Sequence, residues 1–326
     1  MMTKFNELEQ NEVMKSNEVI EPNYVNKGGS AVESASHSHT DVMELSLKKP
    51  IKLIVSDVDG TLVNRDKYVT ERTIAAVQAA MEQGITVAVA SGRAWGEMSE
   101  VKRKLPRITH YICSNGAVVL ERVDADSTRT VFHQSFSNAA ALELMDALIP
   151  FDVYIEAYCG EAIYGDREEM TEFASQLDPH LLPLIQASRI MVDGLRDYIE
   201  STGIELEKIQ IFYGTEEKKQ AILQHFKGQT EFNIIESSEG NLEFVQPGIS
   251  KGRAVASLAT SLGITAEEVM CIGDSNNDIS MLQYTPVSFA MGNGELTAKA
   301  AATYEAPTNE AEGVAVAIES VIKASL

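Results

Sequence analysis

Short apolar strands alternate with amphipathic helices and are interrupted once by a long stretch of different periodicity. This pattern predicts an α/β protein: a Rossmann-like parallel-sheet core with an inserted α+β cap domain. Residues 51–113 read strand, helix, strand, helix, strand, and the alternation resumes from Lys251 towards the end of the chain. The strand at 51–55, Ile-Lys-Leu-Ile-Val, is a near-continuous apolar run of the kind found in sheets buried on both faces. Between about 131 and 240, helical and strand-like stretches mix without βαβ order. The expected organisation is an acidic, disordered tail over 1–48, a core from 49–130 and 241–326, and an inserted cap over 131–240.

Within that tail, His37 and His39 lie in a Ser-rich segment and read as polar linker rather than a metal pair. The first strand ends in Asp57 and Asp59, one residue apart, followed by Gly60 and Thr61. Ligands of open α/β sheets sit beyond the carboxyl ends of the strands, where these two side chains fall. Like charges so close need compensation, and a hard divalent cation is the simplest form of it. An acidic solvated turn is the plain alternative. An EF-hand is excluded, because that loop needs Gly at its sixth position and Glu at its twelfth, whereas here Gly60 is fourth and Tyr68 is twelfth.

Thr70 reads as an N-cap and Gly84 as a helix stop, with Ile74, Val77 and Met81 on one face between them. A second strand, 85–90, ends at Ser91-Gly92-Arg93, and a helix carrying Trp95, Met98 and Val101 is expected to follow. Ser91 could be only an N-cap, but beside Asp57 a strand-to-helix turn with outward N–H groups favours phosphate. A third strand over 111–113 leads into Ser114-Asn-Gly-Ala117.

The expected cap has helices near 139–148, 168–177 and 216–226 and strands near 153–158, 209–213 and 231–235. Its Tyr158 and Tyr164 could contact substrate, although an aromatic on a strand is more often core packing, and the sequence does not choose between the two. The core is expected to return at Leu242-Glu-Phe-Val245. Lys251 then opens a helix, an unfavourable end for a cation unless an anion is near. Thr265 and Glu268 form a capping box before a strand at 269–272 that ends in Gly273-Asp274. Asn276, Asn277 and Asp278 start the next helix, a strand spans 287–291, and a last helix spans about 310–323.

Composition narrows the partners. At 326 residues the chain has room for two domains or one large one, and 44% hydrophobic with 23% charged residues is ordinary for a globular protein. A net charge of -21 argues against nucleic acid or an anionic membrane surface. It leaves room for a phosphorylated small molecule, because a metal and a few cations can dominate one cleft. No apolar run is long enough to span a bilayer, and the N-terminus lacks the pattern of a secretory signal. The scattered Cys113, Cys159 and Cys271 suit a reducing cytoplasm, with Cys113 and Cys271 as buried thiols.

Four stretches in this order, Asp57-Val-Asp59-Gly60-Thr61, Ser91-Gly92-Arg93, Lys251-Gly252 and Gly273-Asp274 through Asp278, resemble the haloacid dehalogenase-like superfamily. The spacing is similar to the Cof-type subgroup, whose large cap lies between the second and third motifs, and the resemblance runs from about Pro50 to the C-terminus. It implies a Mg2+-dependent phosphatase acting on a small phosphorylated metabolite, a sugar phosphate or a cofactor-pathway phosphate. Asp57 would be the nucleophile that forms an aspartyl-phosphate, and Asp59 the general acid and base, its side chain left free for that work. The metal would be held by Asp57, the backbone carbonyl of Asp59 and Asp274, with Asp278 holding a water or orienting a neighbour. Lys251, the Ser91 hydroxyl, the Asn277 amide and the N–H groups of Val58 and Gly92 would surround the transferring phosphoryl group. Arg93 would hold a substrate phosphate or brace the cap. A phosphomutase with the same first half-reaction is the close alternative. A non-catalytic phospholigand-binding protein is the more distant one, though Asp57 and Asp59 are both retained. Nothing in the sequence speaks to oligomeric state.

Overall fold

The structure, a computed structural model, describes residues 45–124, 127–174, 188–236 and 240–325. An eight-stranded sheet has the order β14-β13-β12-β1-β2-β3-β4-β5. Its central strand is β1 (Leu53–Asp57), flanked in parallel by β2 (Thr86–Ala90) and β12 (Val269–Gly273). β3 (His110–Cys113), β13 (Val287–Met291) and β14 (Tyr304–Ala306) continue the parallel set. β4 (Val118–Arg122) and β5 (Thr128–His133) extend it as antiparallel edge strands.

Both faces of this sheet are covered, which is why β1 is apolar at consecutive positions. Ile54 packs with the helices Glu71–Glu82 and Gly313–Ala324, through Ala76, Val77, Ala80, Val314, Ile318 and Val321. Leu53 and Val55 face the opposite layer, where Val255 and Leu258 of the helix Lys251–Ser261 meet Met281 and Leu282 of Ile279–Tyr284. The helix boundaries follow local chemistry. The Thr70 hydroxyl accepts from the Thr73 N–H at 3.3 Å, and Gly84, at φ +81°, turns the chain into the next strand. Thr265 and Glu268 close the expected capping box. Cys113 and Cys271 are buried free thiols, and burial pushes both up from the ordinary thiol range.

The cap is built on a six-stranded sheet of order β10-β11-β9-β6-β7-β8. Its strands are β6 (Tyr154–Cys159), β7 (Ala162–Asp166), β8 (Ile190–Val192), β9 (Lys208–Phe212), β10 (Asn233–Ile235) and β11 (Asn241–Val245). One face, with Ile155, Ala157, Ile209, Ile211, Leu242 and Phe244, packs on Leu144 and Leu148 of the helix Asn138–Leu148 and Ile199 of Leu195–Thr202. The alternate residues Glu156, Tyr158, Lys208, Gln210 and Glu243 form the other face, and all are buried as well. Among the described residues no helix is long and apolar enough to cross a membrane.

Two of the expected boundaries move. β11 was expected to belong to the returning core, yet it pairs antiparallel with β9 and β10 in the cap sheet. β5 begins before the cap and belongs to the core sheet, so the 131 boundary cuts a core strand. Both errors have one cause: an apolar strand does not carry the name of its sheet. Most of the expected tail, including His37 and His39, lies outside the described residues. Its last part does not read as tail, since Leu45 and Leu47 pack against the core. The helix expected after Arg93 is divided into a 3₁₀ turn, Trp95–Glu97, and a helix, Ser99–Lys104. The chain passes between the two sheets just after β5 and just after β11, and Gln134 Nε2 there donates to Gln246 Oε1 at 3.0 Å.

A Cβ at Gly252 would lie inside contact distance of the Ser280 carbonyl, where two helices meet backbone to backbone. Gly252→Ala is therefore expected to destabilise the protein by about 2 kcal/mol or more, because backbone has no rotamer to yield. Urea unfolding checks this, and an unchanged midpoint would contradict it.

Candidate active site

The site lies where three neighbouring strands end on the same side of the sheet. β1 ends at Asp57, β2 leads into Ser91 and β12 into Asp274. After Asp57 the chain turns sharply, with the Val63 N–H donating to the Val58 carbonyl at 3.1 Å. Gly60 takes φ +78° in this turn, and a Cβ there would lie 3.0 Å from Asp274 Cγ and closer still to one of its oxygens. Only glycine fits both the backbone and the space. Thr61 Oγ1 donates to Asp274 Oδ1 at 3.0 Å, and Asn293 Nδ2 holds the Gly60 carbonyl at 2.8 Å from the loop after β13.

Lys251 is the cation of this cluster. Its ammonium, buried like the side chain that carries it, donates to Asp57 Oδ1 at 2.7 Å and to Asp278 Oδ1 at 2.6 Å. The anion that its position at a helix start required is thus a pair of carboxylates. Asp278 Oδ2 accepts from the backbone N–H groups of Asp274, at 2.8 Å, and Ser275, at 3.0 Å. Asn277 stands beside them, its Oδ1 3.4 Å from Lys251 Nζ and 2.8 Å from Ser275 Oγ.

One ammonium does not balance three carboxylates. Burial, with the charge of Asp278, raises the Asp57 carboxyl well above the usual carboxylate range despite Lys251. Asp274 is pushed up to about 6, by burial first and then by Asp278. The Lys251 ammonium is raised in turn: burial lowers it, but Asp278 and Asp57 outweigh that. Asp57, Asp274 and Asp278 each offer an oxygen within 4.8 Å of the others. The buried Asp57 Oδ2 has no hydrogen-bond donor among the described residues. Excess negative charge, hard oxygen donors and an unengaged oxygen together fit a divalent cation such as Mg2+. Asp278 has both its oxygens engaged by protein donors, whereas Asp57 and Asp274 have capacity left.

Asp59 and Arg93 form a second cluster, and here the structure departs from expectation. The Asp59 side chain is not free. Arg93 Nε donates to its Oδ2 at 2.7 Å and Nη2 to its Oδ1 at 2.6 Å, while Lys67 Nζ reaches Oδ1 at 2.7 Å. Burial alone would raise this carboxyl, but Arg93 and then Lys67 outweigh it and hold it at about 2. The planar fork of Arg93 is taken by this nearest carboxylate, and its Nη1 donates to the Glu97 carbonyl at 3.2 Å. Lys67 had no signal in the sequence. It is one of several polar residues in an exposed loop, and only the turn at 58–62 brings it back to Asp59.

The third group is the loop at Ser91 and Gly92. Ser91 Oγ accepts from the Arg93 N–H at 3.2 Å, a local turn and not the helix cap of the plain reading, since the 3₁₀ turn that follows is capped at Ala94; the side chain is buried at the strand end. The Ser91 carbonyl accepts from the Asn115 N–H at 3.1 Å, and Asn115 Oδ1 accepts from Asn277 Nδ2 at 3.1 Å. The expected residues therefore converge, with Val58 buried under the turn, but they are joined through Asn115, which was noted in its turn without a role. From the cap, Lys208 Nζ donates to the Gly92 carbonyl at 2.8 Å. Arg189 Nη1 meets Glu97 Oε1 at 2.8 Å while its Nε holds Glu156 at 2.8 Å. Tyr158 is buried with its ring under Lys208, and the half-buried Tyr164 packs on Tyr198.

Residues 54–318 match the family described as haloacid dehalogenase-like hydrolase. The chain is similar to phosphatase YwpJ of Bacillus subtilis, with 30% identity covering 81% of this chain and 98% of that protein. It is also similar to the 5-amino-6-(5-phospho-D-ribitylamino)uracil phosphatase YcsE of B. subtilis, at 26% identity over 82% of this chain and 94% of that one. A solved haloacid dehalogenase-like hydrolase from B. subtilis superposes with a TM-score of 0.72 and 29% identity, covering 82% of this chain and 99% of the other. One from Bacteroides thetaiotaomicron gives 0.70 and 28%, covering 82% and 98%. With the carboxylate cluster at the strand ends and the cap above it, the chain belongs to the haloacid dehalogenase-like hydrolases as a Cof-type phosphatase, a phosphoric monoester hydrolase.

Proposed function

We propose that the protein is a Mg2+-dependent phosphatase that hydrolyses a small phosphomonoester through an aspartyl-phosphate on Asp57. The observation that carries this reading is the state of Asp57: one oxygen held by Lys251 at 2.7 Å, the other buried without a donor among the described residues. A carboxylate oriented by one oxygen keeps the second for attack on phosphorus. Asp57 and Asp274, with the Asp59 backbone carbonyl, are the proposed holders of Mg2+, and Asp278 orients Lys251 and the Asp274 loop. Bound there, the ion neutralises charge on the nucleophile and the transferring group, the term on which phosphoryl transfer most depends.

The remaining steps belong to the chain. Lys251, Asn277, the Ser91 hydroxyl and the Val58 and Gly92 N–H groups are fixed donors for the phosphoryl oxygens, costing little reorganisation during reaction. Asp59 is the acid that protonates the leaving oxygen and the base that then activates water. At about 2 it is ionised near neutral pH, so it first has to give up Arg93. A phosphate dianion is a competing acceptor for the guanidinium fork. Arg93 turning to substrate would free Asp59, whose carboxyl burial then raises, to take up a proton from water and pass it to the leaving oxygen. The phosphatases of phosphoribitylaminouracil among the relatives, together with the polar inner face of the cap, support a polyhydroxylated leaving group, a sugar phosphate or a cofactor-pathway phosphate in the cytoplasm.

Asp57→Asn is expected to abolish phosphate release while leaving the unfolding transition cooperative. Release at the wild-type rate by the folded variant would refute the mechanism. Asp59→Asn should lose about 10²–10⁴-fold on alkyl phosphates, the usual size of a proton-transfer term. With an activated aryl phosphate it should show a burst of phenol and accumulate protein-bound phosphate. Equal losses for good and poor leaving groups would remove Asp59 from acid–base work. Asp274→Asn tests the metal. At 100 times its Kd, Mg2+ should stabilise wild-type protein by about 2.7 kcal/mol, an increment this variant should lack in thermal unfolding. In EDTA the variant should melt no lower than wild type, because a buried like charge has gone.

A further inference from the structure

The turn after β3 holds two consecutive non-glycine residues in the left-handed region, Ser114 at φ +51° and Asn115 at φ +57°. Such backbone is unfavourable for any residue with a Cβ and persists only where its surroundings impose it. Here the surroundings are two carboxylates of the cap. Ser114 Oγ donates to Glu207 Oε2 at 3.1 Å, and Asn115 Nδ2 donates to Glu243 Oε2. Glu207 and Glu243 are both buried, and Glu243 Oε1 also accepts from Lys208 Nζ at 2.7 Å.

A carboxylate paired with an ammonium accepts hydrogen bonds and does not donate them. Glu243 therefore dictates which end of the Asn115 amide faces it, and that end must be Nδ2. Asn115 Oδ1 then faces the core, where it accepts from Asn277 Nδ2 at 3.1 Å. With its Nδ2 committed, Asn277 turns its Oδ1 towards Lys251 Nζ and Ser275 Oγ. One acceptor in the cap thus sets the polarity of two amides in sequence, and the second stands beside the lysine that holds Asp57.

We propose that Glu243 is a positioning residue for phosphoryl transfer: acting through Asn115, it sets the orientation of the Asn277 amide beside Lys251, so that the phosphate-binding donors are correctly presented only while the cap sheet lies on the core. Lys208 reinforces this arrangement, since its ammonium joins Glu243 to the Gly92 carbonyl of the neighbouring phosphate loop. The proposal rests on the phosphatase reading of Asp57, Lys251 and Asn277 given above.

The test uses Glu243→Gln, which keeps shape but can donate or accept, and Asn115→Gly, which suits the left-handed backbone but deletes the amide. Hydrolysis of p-nitrophenyl phosphate and of phenyl phosphate is followed for wild type, both single variants and the double variant, with thermal unfolding as the control for folding. The expected result is a fall in kcat of about tenfold or more in each single variant, equal for the two leaving groups. The double variant should be no slower than Asn115→Gly, because both changes cut one path. Unchanged kcat in either folded single variant, or losses that multiply in the double, would overturn the proposal. If Glu243→Gln does not fold, Asn115→Gly decides alone by its kcat. Wild-type protein and Asp57→Asn run alongside separate the two readings: an inactive wild type, or an active Asp57→Asn, refutes the phosphatase mechanism and the relay with it, whereas an active wild type, an inert Asp57→Asn and unchanged single variants refute the relay alone.

Discussion

The contact on which the rest of the site depends is the buried ammonium of Lys251 between Asp57 and Asp278, at 2.7 and 2.6 Å. Removing one partner from such a group strands the others in a medium that solvates charge poorly, and the usual cost is several kcal/mol. The local architecture serves this contact. The helix Lys251–Ser261 begins where its first residue can reach the end of β1, and the Gly252 close approach seats that helix against the Asp278 segment. Asp278 in turn spends its second oxygen on the backbone of the Asp274 loop. Yet the group is still short of positive charge, and burial first, then the charge of Asp278, holds Asp57 and Asp274 above their ordinary carboxylate range. The fold tolerates a frustrated cluster because function asks for charge to be neutralised on arrival of ligands rather than in advance.

The cap shows the same principle on a larger scale. Its inner face carries Glu156, Tyr158, Lys208, Gln210 and Glu243, none of which is exposed to water. These groups satisfy one another and the core loops, through Lys208 to Gln210 and the Gly92 carbonyl, Tyr158 to Gln210, and Arg189 to Glu156 and Glu97. An apolar interface would hold the layers together more simply. A polar one is specific to a single registry, because a shifted layer would leave buried charges without partners.

The core and its strand-end motifs were legible in the sequence because Asp57, Ser91 and Asp274 stand at the end of a strand or directly after it. A run of apolar residues that stops at Asp57, Ser91 or Asp274 announces both the strand and where its end points. Side-chain commitments were not legible. Asp59 was expected free, and nothing local to it signals that Arg93 and Lys67 would close on it. The cap strands misled in a different way. Lys-Ile-Gln-Ile-Phe at 208–212 alternates as a half-wet strand would, and the sequence does not say that the polar side faces another layer instead of solvent. Glu243 was passed over for the same reason, inside a strand assigned to the wrong sheet. Asn115 carried a weak signal, a non-glycine in a tight turn between two glycine-containing motifs, but its left-handed backbone becomes visible only in three dimensions.

The two crossings between the sheets stand side by side, tied by Gln134 and Gln246. A body attached at two adjacent points behaves like a door on a double hinge. It can swing about the line through the attachments, but it cannot slide along its frame or spin within it. Two adjacent attachments would confine any opening of the cap to something close to a rotation about them. Closure about that line would bring Glu243 against Asn115 and Lys208 against the Gly92 carbonyl.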